Sequence, residues 1–171
     1  GGTRGFAEVP VTINAPTGTT FNDTETIIYG ASRLKSIGSL ASKYPGTVDM
    51  SKATKLEELI IGSSVSGYNN PYLTSLNVGN SQLLKVIDIQ NCSGLNQALN
   101  LSECLNIEEI YAYGSSITSV NLPSSGNLKV LQLPNTITNL TILNQPNLIF
   151  ETGSIDGVDN LTTLRIENSP N

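Results

Sequence analysis

Two tyrosines on one short stretch, Tyr111 and Tyr113, are the residues of this sequence best suited to contact chemistry. Exposed tyrosine offers a flat apolar ring and a hydroxyl together, which suits binding surfaces. Glu109 precedes them at alternate spacing, and Asp88, Gln132 and Arg165 take equivalent places in other copies of a sequence repeat. Tyr68 and Tyr72 bracket a second candidate, a loop inserted between two copies. These eight residues read as a binding surface. Packing against an adjoining segment of the same protein and incidental exposure are the competing readings for the Tyr111 pair.

Catalytic readings find little here. The chain has no histidine, so a His-based triad or a His metal site is excluded. Glu58 and Glu109 share an outward column two coils apart, ~10 Å at ~4.8 Å per coil. That separation is at the outer limit for paired glycosidase carboxylates, and solvated surface acids are the expected state. Asp156-Gly157-Val158-Asp159-Asn160 resembles a calcium loop in composition only and lacks its spacing. No cofactor and no metal is expected. The Asn-x-Ser/Thr triplets at Asn91, Asn100, Asn139 and Asn160 follow from an Asn/Ser/Thr-rich repeat and are not read as glycosylation sites.

What positions these residues is the repeat. Leu84, Ile87, Ile89 and Cys92 follow the spacing L-x-x-L-x-L-x-x-C, as do Ile107, Ile110, Ala112 and Ser115, and Leu128, Leu131, Leu133 and Thr136. Intercalated copies begin at Asn96, Ile117 and Ile137. A copy begins every ~11 residues and a full coil takes ~22, within the range of solenoid repeats. Each copy makes a short strand with its leucines inward. One coil cannot bury that face alone, so coils stack and strands pair in parallel. The expected fold is mainly β, a solenoid with about two strands per coil and little or no helix.

Cys92 and Cys104 fall at the ninth position of their copies, where Ser64, Ser81, Ser115, Ser125, Thr136 and Ser169 also fall. That position turns inward, and a small donor there can bond backbone left unpaired by the turn. Successive copies lie on different sides, which makes a bridge awkward; free, buried thiols are expected. The third, fifth and seventh residues point outward. The first sheet then presents Glu58 and Ile60; Val86, Asp88 and Gln90; Glu109, Tyr111 and Tyr113; Val130 and Gln132; Thr163, Arg165 and Glu167. The second presents Ser75, Asn77, Asn100, Ser102, Ser119, Asn121, Asn139 and Thr141, where stacked Asn and Thr can bond up the ladder.

Residues 1–33 lack the repeat and read as an N-terminal cap or connecting β segment, with strands over Ala7–Asn14 and Thr24–Gly30. Residues 34–171 read as the solenoid, and the chain as an excerpt of a longer protein. The first coil is degraded, and a helix over Arg33–Lys43 is an alternative there. An extra loop, Val65–Pro71, enlarges the second coil, and regularity fails after Pro146 through Gly157, to return at Leu161. The 171 residues suffice for one sizeable core. Charged residues are 13% and the net charge is −5, with no Lys/Arg run; a nucleic-acid footprint is absent. No apolar run approaches the ~18 residues of a membrane span, so membrane insertion is not expected.

These copies resemble leucine-rich repeats of the BspA-like kind. The nearest stretch is Leu128-Lys-Val-Leu-Gln-Leu-Pro-Asn-Thr-Ile-Thr-Asn-Leu-Thr-Ile142, and the likeness spans roughly residues 34–171. It departs from the pattern in its turn, which holds Asn144-Gln145-Pro146 where the family has an alanine-phenylalanine pair. Such repeats occur in bacterial surface adhesins, and Asn/Ser-rich versions like Leu101–Tyr111 are similar to repeat regions of large virion proteins of gut bacteriophages. The resemblance implies a non-enzymatic structural or adhesive module of a virion (tail or appendage) or bacterial cell surface. Its partners would be protein chains of the same assembly, or a host receptor or glycan. A stand-alone recognition module and a β-helical carbohydrate enzyme are the alternatives.

Overall fold

The computed structural model describes residues 12–13, 36–38, 46–64, 69–148 and 159–169. They form a parallel β-solenoid of about four turns, each about 24 residues long, with no helix among the described residues. Twelve short strands run in order: β1 (Thr12–Ile13), β2 (Ser36–Gly38), β3 (Gly46–Asp49), β4 (Glu58–Ile60), β5 (Leu73–Asn77), β6 (Val86–Asp88), β7 (Ala98–Asn100), β8 (Glu109–Tyr111), β9 (Ser119–Asn121), β10 (Val130–Gln132), β11 (Asn139–Leu143) and β12 (Thr163–Glu167).

The first side is one six-stranded parallel sheet in the order β1-β2-β4-β6-β8-β10. The strand at Ser36–Gly38 excludes the helical alternative at those residues. β1 pairs with β2 in register, so this sheet reaches back into the segment read as a cap. The strand expected over Thr24–Gly30 lies outside the described residues. The second side is not the continuous sheet the repeat suggests. It consists of three two-stranded ladders, β3-β5, β7-β9 and β11-β12. Between β5 and β7 a side chain replaces the missing pairing: Gln97 Nε2 donates to Leu76 O at 2.7 Å, and Leu76 N donates to Gln97 Oε1 at 3.1 Å.

The core follows the leucine columns. Leu59, Ile87, Ile110 and Leu131 stack in register through the first sheet, all at 0% exposure. Leu56, Leu84, Ile107 and Leu128 at the first position are equally buried, as are Ile89, Ala112 and Leu133 at the sixth. Alternation along each strand makes this possible, since only every second side chain faces inward. Burying each Leu or Ile contributes about 1.5–3 kcal/mol, and the neighbouring coil supplies much of the covering surface.

The corners are held by amides. Asn106 Nδ2 donates to Gln82 O, Asn127 to Leu105 O, Asn147 to Gly126 O and Asn160 to Asn135 O, each reaching back one coil at 2.6–3.0 Å. Each of these asparagines sits just before the first apolar residue of a copy. At the eighth position the chain turns through the left-handed region, at Asn91 (φ 57°), Gly114 (71°), Asn144 (53°) and Asn168 (50°). Asparagine and glycine are the residues that adopt this conformation most readily.

Gln145, in the turn after β11, is wholly buried and bonded on every side. Its Nε2 donates to Pro123 O at 2.5 Å, its Oε1 accepts from Leu128 N at 3.1 Å, and its backbone N–H donates to Ser169 Oγ at 2.9 Å. One side chain thus joins two coils, and its backbone reaches a third.

Candidate functional site

The first sheet carries the tyrosine face. Register places Ile60, Asp88, Tyr111 and Gln132 in one outward row, and Glu58, Val86, Glu109 and Val130 in the next. Four of the eight expected contact residues, Asp88, Glu109, Tyr111 and Gln132, therefore come together on three adjacent strands. All four are half-buried. The Tyr111 hydroxyl donates to Glu109 Oε2 at 2.9 Å, so ring and carboxylate are held in one arrangement. Burial, with that bond and the negative charges of Glu109 and Asp88, pushes the Tyr111 phenol up to about 12. Asp88 is raised from the usual carboxylate range by burial, against bonds it accepts from Gln90 N at 2.9 Å and Gln90 Nε2 at 3.2 Å.

Tyr113 lies just beyond β8 and is 53% exposed; Tyr72, just before β5, is 52% exposed. Asn91 N–H donates to Tyr113 O at 2.9 Å, and its O accepts from Asn70 N, two residues before Tyr72, at 3.1 Å. Its side-chain Nδ2 also donates to Ser63 O at 2.8 Å. Tyr68 lies outside the described residues.

Arg165 was expected on the tyrosine face and is not there. β12 pairs with β11, with Leu164 opposite Leu140 and Arg165 opposite Thr141, so Arg165 belongs to the second side. Its guanidinium pairs with Glu167 of the same strand at 2.6 Å. The copy at Leu161 falls one full coil after the copy at Ile137. Thr163 and Glu167 move to the second side with it.

Gln90 is a second correction. It is 8% exposed rather than outward-facing, because the chain is already turning there and its amide folds onto Asp88. On the second side, Asn77 and Asn100 do not stack by side-chain bonds. Each accepts from its own chain two residues on, at Gly79 N (3.0 Å) and Ser102 N (3.2 Å). A short amide reaches its own turn more easily than the next coil.

The ninth position behaves as expected at Ser81 and Ser115, buried and donating to Val78 O and Ala112 O, each at 2.7 Å. Ser64 is exposed instead, with Ser63 taking the buried place beside the enlarged coil. Thr136 is exposed as a residue, yet its hydroxyl bonds back to Ile117 O. Ser125 Oγ is buried without a partner. Cys92 and Cys104 are free and buried, and burial pushes their thiols up to about 12 and about 11.

Glu58 and Glu109 are separated by Val86 of the intervening strand. Among the described residues no group of three or more His, Cys, Asp or Glu could hold a metal ion. Nor is any helix there long and apolar enough to cross a membrane. The Asp156–Val158 part of the calcium-like loop lies outside the described residues.

Fold and surface together define a parallel β-solenoid with a tyrosine- and acid-bearing sheet face. The chain matches no family model, no curated protein and no solved structure.

Proposed function

We propose that this chain is a non-enzymatic structural or adhesive module of a large assembly, on a virion or a bacterial cell surface, acting through contacts with protein. The observation that carries this reading is the Asp88–Tyr111–Gln132 row, with Glu109 fixing the Tyr111 hydroxyl and Tyr113 exposed beside it. Aromatic side chains held on a rigid sheet need little ordering on binding, which favours contact energy over entropy loss. The sequence likeness to BspA-like leucine-rich repeats supports the adhesin and virion settings.

A recognition module for a polysaccharide is the second reading, favoured by the exposed rings of Tyr72 and Tyr113. One comparison separates the two. Wild-type chain and the Y111A/Y113A variant are applied to purified virions or washed cell envelopes of the source material and, in parallel, to a glycan array. The protein-contact reading expects retention on particles or envelopes, weakened about 10-fold or more in the variant. Equal retention of wild type and variant would remove the tyrosine face from consideration. Array binding that depends on Tyr72 and Tyr113 would move the assignment to the polysaccharide reading.

A further inference from the structure

We propose that the corner leading into the first sheet binds a second copy of this chain, side by side and antiparallel. In the four successive first-side copies that begin at Leu56, Leu84, Ile107 and Leu128 the second residue is charged, and the sign alternates from coil to coil: Glu57, Lys85, Glu108, Lys129. They form a true column. Lys85 N donates to Glu57 O, Glu108 N to Lys85 O and Lys129 N to Glu108 O, each at 2.8 Å. Lys129 pairs with Glu108 through its ammonium, and that bond, with Lys85 adding to it, holds the Glu108 carboxyl below its ordinary range.

Alternation keeps like charges apart within the column, because like charges directly opposite each other in a sheet are destabilising. It also has a consequence between molecules. The order acid-base-acid-base inverts when read backwards. A two-fold axis between Lys85 and Glu108 sets Glu57 against Lys129 of the second copy, and Lys85 against Glu108 of the second copy. Every facing pair is then of opposite sign. A partner of uniform charge would meet a like charge at every second coil, whereas a second copy meets none. This is the self-complementarity that a two-fold interface requires.

The same corner carries apolar surface at the right place. Leu83 is 39% exposed and Leu105 is 44% exposed. They belong to the two middle coils, just before Lys85 and Glu108, and so lie nearest the axis. Exposed leucine with charges beside it is the usual make-up of a small interface, apolar at the centre and charged at the rim. The column spans only three coil steps, ~15 Å. The dimer is accordingly small and weak, with a dissociation constant of ~100 µM. These residues differ from those of the tyrosine face, so the pairing stands or falls separately from the proposed adhesive contact.

Analytical ultracentrifugation of the full chain at low ionic strength, from about 5 to 500 µM, tests it. The expected result is a concentration-dependent dimer that K85E weakens about 10-fold or more, since it creates two like-charge contacts per dimer. The K85E/E108K double variant should recover wild-type association within about 3-fold. It restores every facing pair between copies, although it places like charges side by side twice within the column. L105D, at an exposed site, should weaken the dimer without unfolding the chain, as circular dichroism would verify. A monomer at all concentrations, a dimer indifferent to K85E or L105D, or a folded double variant that does not recover would each overturn the proposal.

Discussion

Tyr111 donates its hydroxyl proton to Glu109 Oε2 at 2.9 Å, two residues back along the same strand. The bond needs the phenol protonated, and the acids around it oppose its ionisation. In the folded chain Tyr111 ionises at about 12, against an ordinary 10.0. Because the folded state holds its proton more tightly than the unfolded state, the associated stability is intact below pH 10. It is lost as pH rises from 10 to about 12. A difference titration of phenolate absorbance, wild type minus Y111F, should show Tyr111 ionising near 12. Ionisation near 10 would mean that the hydroxyl is neither shielded nor bonded.

Gln145 should be the most sensitive polar residue of the described structure. Removing its amide leaves Pro123 O and Leu128 N unpaired inside the protein and opens a cavity. Gln145→Ala should lower the unfolding free energy by about 3 kcal/mol or more. Asn127→Ala removes a more exposed bond to Leu105 O and should cost only about 1 kcal/mol. Urea denaturation of the two variants compares them directly, and equal losses would deny Gln145 its special place.

The apolar columns were legible in the sequence because they obey a rule that repeats: inward residues at the first, fourth and sixth positions need only the same phase in each coil. Leu59, Ile87, Ile110 and Leu131 carry that rule through four coils. The period does not survive an irregular stretch, however, and carried across it puts Arg165 half a coil out of phase. Only pairing with Thr141 fixes its side. Polar side chains are less legible, since an amide chooses among several partners within reach. Asn77 bonds its own turn while Asn127 bonds the coil before it. A signal for the latter was present: an Asn immediately before the first Leu or Ile of Ile107, Leu128, Leu148 and Leu161. Gln97 and Gln145 left no such mark, because each repairs a local break in the repeat.

Gly94 has a requirement that arises from close packing alone. A Cβ there would lie 2.1 Å from Pro71 O and 2.8 Å from Leu73 O, both backbone atoms of the preceding coil. Gly94→Ala must push two coils apart and should cost about 2 kcal/mol or more. Gly126→Ala meets Asn144 O at only 3.2 Å but holds φ at +78°, and strain of about 1 kcal/mol is expected. Thermal melts that rank these variants in the opposite order would contradict the packing of residues 71–73 against the corner.

Neither cysteine should react as a surface thiol. With thiols pushed up to about 12 and about 11, Cys92 and Cys104 carry almost no thiolate near neutral pH, and both are shielded. A thiol-specific chromogenic disulfide should titrate none of them in the native chain at pH 8 and both after denaturation. Rapid modification of either one in the folded protein would contradict its inward placement.

The role in an assembly is tested most directly by co-fractionation. Virions purified by density gradient, washed cell envelopes and the free soluble fraction of the source material are each digested and searched by mass spectrometry for peptides of this chain. A structural or adhesive module should be enriched with the particles or the envelopes and remain after washes that remove loosely held protein. Recovery solely from the free fraction would contradict that role.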